Sequence, residues 1–373
     1  MEIIVQKYGG SSLTDVDRLQ GVAERVAAAW REGRGVVVVV SAMGNTTSEL
    51  LGLAHEITAD PDRRELDMLL SVGERVSMAL LAMALKARGV PARSLTGSQS
   101  GIITDESHAD AGVVEVRPTR VRACLDAGEV VIVAGFQGVS REREVTTLGR
   151  GGSDTTAVVL AAALGAAWCE IYSDVDGVWS ADPRVVPEAI RLDQLSLAEA
   201  LALARGGAKV LFEDAVRYAR DHRVNILAAT SVGPGSGSRI VADAPSRDGV
   251  AVTGARLRVA RLTDRVSEAD LRALQAAGFR VRRRVGDRLL LDDRNAHGGW
   301  PAVEGLHEVG ETGVVVAVGS ELGASVATLH RADRALAGIS LGDQGAAGDE
   351  AWWEVPARSV DEAVRRVHLA LVR

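Results

Sequence analysis

The residues best suited to chemistry are few, and they sit in glycine-rich turns. Of 43 basic residues only three are lysines, Lys7, Lys86 and Lys209. Lys86 closes an amphipathic stretch and reads as surface charge. Lys7 and Lys209 lie inside glycine motifs, where a compact ammonium fits and a broad guanidinium does not. Lys7-Tyr8-Gly9-Gly10-Ser11-Ser12 offers backbone N–H groups that can cradle phosphate oxygens, with Lys7 balancing charge on a moving phosphoryl group. The same two glycines would also serve a plain chain reversal. Ser41-Ala42-Met43-Gly44 repeats the arrangement, and Thr146–Thr156 (TTLGRGGSDTT) adds a third glycine-rich turn before a helix. Arg150 is the cation among those glycines, a fork donor suited to a carboxylate. Asp154 is either a partner for the helix dipole or a holder of an ammonium group or magnesium water. Glu74, in Gly73-Glu74-Arg75, reads first as an exposed helix glutamate. Ser173–Trp179 (SDVDGVW) and Asp182-Pro183-Arg184 form an acidic turn-rich stretch, either a solvated loop or a place for adenine and ribose against Trp179. Gly207-Ala208-Lys209 sets the second lysine at an expected helix start, where the dipole favours a phosphate.

Other chemistries lack their signatures. There is no G-x-x-x-x-G-K-[ST], no G-x-G-x-x-G after the first strand, no H-E-x-x-H among seven histidines and no nucleophile elbow. Cys124 and Cys169 are too few for a disulfide framework or a structural zinc site. A net charge of −7 argues against a general nucleic-acid binder. No uninterrupted apolar run of about 20 residues suggests a membrane span, and Met1–Val5 resembles neither a signal nor a transit peptide. The expectation is a cytoplasmic enzyme.

Positioning such turns requires a layered scaffold. The first ~240 residues alternate β-branched runs with helical patterns, which implies α/β architecture around a mainly parallel sheet. Strands are expected at Ile3–Tyr8, Gly35–Ser41, Ala92–Thr96, Glu129–Gly135, Trp168–Ser173 and Asn225–Ala229. The continuous apolar runs GVVVVVS and EVVIVAG mark strands covered on both faces. Helices are expected at Asp15–Arg31, Glu65–Arg88, after Pro118, at Asp154–Leu164, near Leu195–Ala204 and at Lys209–His222. Composition breaks at Gly233–Ser238, with Pro245–Gly249 as the linker, so the chain divides into 1–244 and 245–373. The second part reads as two βαββαβ-like units in ~125 residues, a smaller α+β ferredoxin-like module, including a strand near Ile339. Aromatics are only 3% of the chain, so both cores must be aliphatic.

Taken in order, KYGGSS, VVVVVSAMGNTT, SVGERVS, TGSQSGIIT, AGFQG, TTLGRGGSDTTA, CEIYSDVDGVWSADPR and GGAKVL resemble the aspartate kinase branch of the amino-acid kinase family across the first ~240 residues. The C-terminal part is similar to tandem ACT domains in length and element order. The resemblance implies the three-layer amino-acid kinase fold and transfer of phosphate from MgATP to the β-carboxylate of L-aspartate, the first step toward lysine, threonine and methionine. It implies that Lys7, Gly10 and Asp154 are catalytic. Ser41, Thr47, Glu74, Phe136, Arg150 and Ser153 would bind substrate. Lys7, Gly9, Gly10, Ser11, Ser173, Asp174, Trp179, Arg184 and Lys209 would bind nucleotide. Magnesium would be held by phosphates and water rather than by a protein cage, and a homodimer would form through the ACT-like part. The departures are Tyr8 and Ser11 in KYGGSS, Ser98, Trp179, and Phe212-Glu213-Asp214 after GGAKVL, an acidic stretch where the family is basic. The feedback Gly-Ile-Asn segments are replaced by Gly278-Phe279-Arg280 and Gly338-Ile339-Ser340. A kinase for another amino acid, or a non-catalytic sensing paralogue, is the alternative.

Overall fold

The protein is described here by a computed structural model covering residues 1–233, 235–242, 244, 250–263, 267–294, 296, 300–301, 303, 305–320 and 322–372. The chain forms two compact units, Met1–Gly177 with Val210–Ala242, and Val178–Lys209 with Asp243–Arg373. The sequence-based division at 244/245 differs by assigning 178–209 to the first part. The expected linker Pro245–Gly249 lies outside the described residues.

In the first unit the principal sheet runs Ser238–Val241, Ile226–Thr230, Trp168–Ser173, Ile3–Tyr8, Gly35–Val40, Val130–Ala134, Ala92–Leu95. These pairings are parallel except for Ser238–Val241, which is antiparallel. The central strand Gly35–Val40 is buried at every position, as its unbroken apolar run requires. Alternation then sorts its neighbours. Ile4, Val36, Val38 and Ile132 join the core beneath helices Val16–Arg31 and Val72–Lys86, while the opposite face is covered by helix Gly152–Leu164. A second sheet, Val113–Val116, Ile102–Thr104, Gln137–Ser140, Val145–Thr147, stands beside it. Its strands are too short to carry a period, and the sequence reading missed them.

One expected helix is two. Glu65–Arg88 divides into Arg63–Leu70 and Val72–Lys86 at Ser71, whose carbonyl accepts a hydrogen bond from Gln137 Nε2 at 2.9 Å. By length and composition this stretch could cross a membrane, but half of its most apolar window is buried within the protein, as in a core helix. The helix expected to begin at Lys209 begins at Glu213.

The second unit is built on an antiparallel sheet ordered Arg280–Val285, Arg288–Asp292, Ala251–Leu262, Leu306–Val318, Glu350–Val355, Gln344–Ala347. The order is palindromic in connectivity. Each half is strand–helix–hairpin, with helices Glu268–Ala276 and Val326–Ala335, and the halves join through their long first strands. The repeat is therefore βαββ twice, with helix Val360–Leu371 following the second half, rather than βαββαβ twice. Ile339 lies in a turn and not in a strand.

Candidate active site

Lys7 is the penultimate residue of its strand, at the carboxyl edge of the parallel sheet, where α/β proteins bind ligands. Its Nζ lies 2.6 Å from Asp154 Oδ1, and both side chains are nearly buried, at 11% and 3% exposure. Asp154 stands in the first turn of helix Gly152–Leu164, where the helix dipole favours a carboxylate. A buried pair like this contributes little net stability. What it fixes is the position of an ammonium group.

Glycines let the strand ends converge around it. A Cβ at Gly10 would meet Ala42 O at 2.9 Å and Gly44 O at 3.2 Å, so the first two turns touch only because Gly10 lacks a side chain. Gly9 N–H donates to Tyr172 O at 3.2 Å, Ser41 N–H to Tyr8 O at 3.1 Å and Gly135 N–H to Val40 O at 3.0 Å. A Cβ at Gly135 would lie 2.8 Å from Ser153 Oγ. Lys7, Gly9, Gly10, Ser41, Ser153 and Asp154 thus share one edge. Ser11 follows in the short turn Gly10–Leu13, where Ser12 donates to Ser231 at 2.7 Å and Ser231 in turn donates to Ser173 O at 3.1 Å. Ser173 is half-buried and Asp174 exposed.

Glu74 corrects the expectation of an exposed salt-bridging residue. Because the helix breaks at Ser71, Glu74 falls in the first turn of Val72–Lys86, and it is 3% exposed. Gly73 brings this turn against Ala42, since a Cβ there would stand 2.7 Å from Ala42 Cβ. Glu74 Oε1 accepts from Ala42 N–H at 3.0 Å, while Oε2 has no partner among the described residues. Burial pushes its carboxyl up to about 7, against the smaller opposing effect of backbone hydrogen bonds. A carboxylate so placed invites a cation.

Phe136 adopts a left-handed φ of 67° and donates its N–H to Thr156 Oγ1 at 3.1 Å. That strain is of the kind stored at ligand sites. A Cβ at Gly152 would meet its ring at 2.9 Å. Arg150 is exposed and forms no ion pair among the described residues, leaving its fork free. Thr47 is half-buried in the first turn of helix Thr46–Ile57. The departure Phe212-Glu213-Asp214 has a local account. Gly151, at φ 76°, leaves room for the Phe212 ring, which a Cβ would contact at 2.2 Å. Glu213 and Asp214 open helix Glu213–His222, where acids are favourable, and Asp214 pairs with Arg217 at 2.6 Å.

Trp179, Arg184 and Lys209 belong to the second unit. Trp179 is half-buried, and its indole N–H has no partner among the described residues. Arg184 is exposed and forks onto Asp182 at 3.0 and 2.7 Å. Lys209 is exposed in the loop before Glu213, so the helix-dipole argument for it does not hold.

Two participants were missed. Asp67, fully buried, accepts from Thr147 Oγ1 at 2.5 Å and Ala109 N–H at 3.1 Å and bonds His108 Nδ1 at 2.6 Å. The available signal was an aspartate beside Leu66 and Leu70 on the apolar face of ELDMLL. Asp176 Oδ1 accepts from Gly237 N–H at 3.1 Å, pinning the glycine-rich loop that the composition break marks.

A parallel α/β sheet whose carboxyl edge holds a buried ammonium, glycine turns and an uncompensated carboxylate is a site for small anionic and zwitterionic ligands. The model of the Amino acid kinase family matches residues 2–228, and the chain belongs to that family. Among curated relatives it is 52% identical over 280 residues to the aspartokinase of Corynebacterium efficiens, covering 72% of this chain and 66% of that one. It is 53% identical over 252 residues to the aspartokinase of Mycobacterium tuberculosis, covering 66% and 60%. The chain thus spans less than two thirds of the length of these relatives. Among solved structures, Escherichia coli aspartokinase III in complex with aspartate and ADP superposes with a TM-score of 0.85 at 22% identity, over 99% of both chains. Aspartate kinase from Synechocystis gives 0.60 at 32% identity, over 99% of this chain and 69% of that one.

Proposed function

We propose that this protein transfers the γ-phosphoryl group of MgATP to the β-carboxylate of L-aspartate, forming 4-phospho-L-aspartate and ADP. The observation that carries the reading is Glu74, a buried carboxylate with one oxygen unpartnered, on the turn that touches the Lys7 edge through Ala42 and Gly10. Aspartokinase relatives above 50% identity support the choice of substrate.

The chemistry asks little of the protein beyond placement. An aspartate β-carboxylate is ionised at neutral pH and is already a nucleophile, so no general base is needed. The acceptor's α-ammonium would meet Glu74 Oε2, and its α-carboxylate the free Arg150 fork, which together aim the β-carboxylate. Ser41, Thr47, Ser153 and Phe136 would complete that pocket. Lys7, held by Asp154 and framed by the Gly9 and Gly10 amides, would balance charge on the phosphoryl group as the bond to ADP breaks and that to the carboxylate forms. Ser11, Ser173 and Asp174 would contact the nucleotide, a role that only the family resemblance gives to Trp179, Arg184 and Lys209 of the other unit. Magnesium would arrive with the phosphates and keep mostly oxygen and water ligands.

Residues 1–244 would hold catalysis. Residues 245–373 would serve regulation and pairing with a second copy, for which the sheet's outer strands Arg280–Val285 and Gln344–Ala347 provide open edges. The enzyme would work in the cytoplasm. An ADP-release assay with MgATP and a panel of amino acids at equal concentration tests the reading. Turnover with aspartate above every other acceptor supports it, and preference for another amino acid would transfer the proposal to that substrate.

A further inference from the structure

Asp67 joins three segments that are distant in sequence. Its helix, Arg63–Leu70, leads through Ser71 to the turn carrying Glu74. Its Oδ1 takes the Thr147 hydroxyl at 2.5 Å and its Oδ2 meets His108 Nδ1 at 2.6 Å. Ala109 N–H approaches both oxygens, at 3.1 and 3.3 Å. Ala109 is held at φ 71°, an uncommon conformation for alanine, so this contact outweighs a backbone preference. The next residues tighten the link. Ala111 N–H donates to Thr147 O at 2.9 Å, and the Thr146 and Thr104 hydroxyls bond at 2.7 Å. Gly149 stands so close to Asp110 that a Cβ would lie 2.2 Å from its carboxylate. Everything converges on the strand that delivers Leu148–Gly152, the segment bearing Arg150.

We infer that Asp67 and His108 form a carboxylate–imidazole bracket that positions the Arg150 loop for the acceptor's α-carboxylate, so that the two residues set acceptor affinity without touching the substrate. This rests on the function proposed above. A buried carboxylate held by one hydroxyl, one imidazole and one backbone N–H that reaches both of its oxygens is a hinge pin rather than a surface charge. His108, whose side chain is 21% exposed, closes the outer side of the pin. Neither residue reaches the Lys7–Asp154 pair or the Gly9-Gly10 turn by any hydrogen bond among the described residues, so the bracket acts on the Arg150 segment rather than on the nucleotide end directly.

The test uses the full-length protein and two substitutions. His108→Ala removes the imidazole, and His108→Asn returns an amide nitrogen near the place of Nδ1. Two measurements are made on each: hydrogen–deuterium exchange of the 146–152 amides, and separate KM values for aspartate and MgATP. His108→Ala is expected to speed exchange in that segment and raise the aspartate KM by up to about 100-fold, the cost of misplacing a positioning group by about an ångström. The MgATP KM and kcat should stay at wild-type values, and His108→Asn should restore both readouts. Exchange at the wild-type rate in His108→Ala overturns the bracket. Aspartate and MgATP constants rising together overturn its assignment to the acceptor. If the wild-type protein turns over no aspartate, the functional reading fails, and the exchange measurement still decides whether the bracket holds the loop. Asp67→Asn is the harsher variant, and the His108 pair keeps the test intact if it folds poorly.

Discussion

Two buried carboxylates of the second unit and two of the first are shifted in opposite directions. In the second unit, burial alone would raise Asp292, yet Arg294 and Arg282, at 2.6 and 2.5 Å, hold it well below the usual carboxylate range. Glu354 is likewise lowered against its burial, by the Arg288 fork at 2.8 and 3.0 Å with help from Asp343 N–H and Thr312. In the first unit, Glu74 and Asp67 are raised, chiefly by burial, and neither has an arginine partner. Arginines meet the charges of Asp292 and Glu354, and Lys7 that of Asp154, whereas Glu74 is left a carboxylate waiting for a cation. Full pairing is what a structural module needs. Incomplete pairing is a cost that a binding site recovers when its ligand arrives.

The largest effect is expected at the paired ammonium. Lys7→Ala should lower kcat by about 100- to 1,000-fold, comparable to removing a transition-state charge partner. Trapping the acyl phosphate with hydroxylamine measures this, and undiminished hydroxamate would separate Lys7 from the chemistry. Next comes the satisfied module. Asp292→Asn should cost about 2–3 kcal/mol at pH 7 in denaturant unfolding, below the range for a fully buried pair because Arg294 is partly exposed. With a folded-state value lowered, the stabilisation is present above the unfolded value near 3.8 and is lost as pH falls through the folded one. The difference between variant and wild type should therefore shrink below pH 4. A constant difference would mean packing, not charge.

The smaller effect has the opposite sign. Glu74 binds its proton more tightly folded than unfolded, so wild-type stability falls as pH rises from 4.5 to about 7. Glu74→Gln keeps an oxygen for Ala42 N–H and removes the charge. It should be more stable than wild type at pH 8 by about 1–3 kcal/mol, match it at pH 4.5, and bind aspartate poorly. Equal stability at pH 8 would mean that water or a neighbour already compensates the carboxylate.

The sequence exposed this contrast unevenly. Long apolar runs such as Gly35–Val40 placed the parallel sheet, and the glycine motifs placed Lys7, Gly10, Ser41 and Asp154 at its edge. What it concealed depended on contacts made across the fold. Ser71 breaks a helix because Gln137, 66 residues away, takes its carbonyl, and only that break puts Glu74 in a first turn. Asp67 gains its partners from segments 41 and 80 residues away, which no local period records. In the second unit the two expected βαββαβ units are βαββ units with a single helix after the second, because the halves are united by cross-strand pairing rather than by pattern.

Calorimetric titration of the wild-type protein with aspartate, at pH 6.0 and pH 8.5 in buffers of different ionisation enthalpy, tests most directly whether the Glu74 carboxylate awaits an ammonium group. With its carboxyl near 7 in the free protein, binding at pH 6.0 should release close to one proton per site, and binding at pH 8.5 should release almost none. Binding with no proton release at pH 6.0, or release unchanged in Glu74→Gln, would contradict the account.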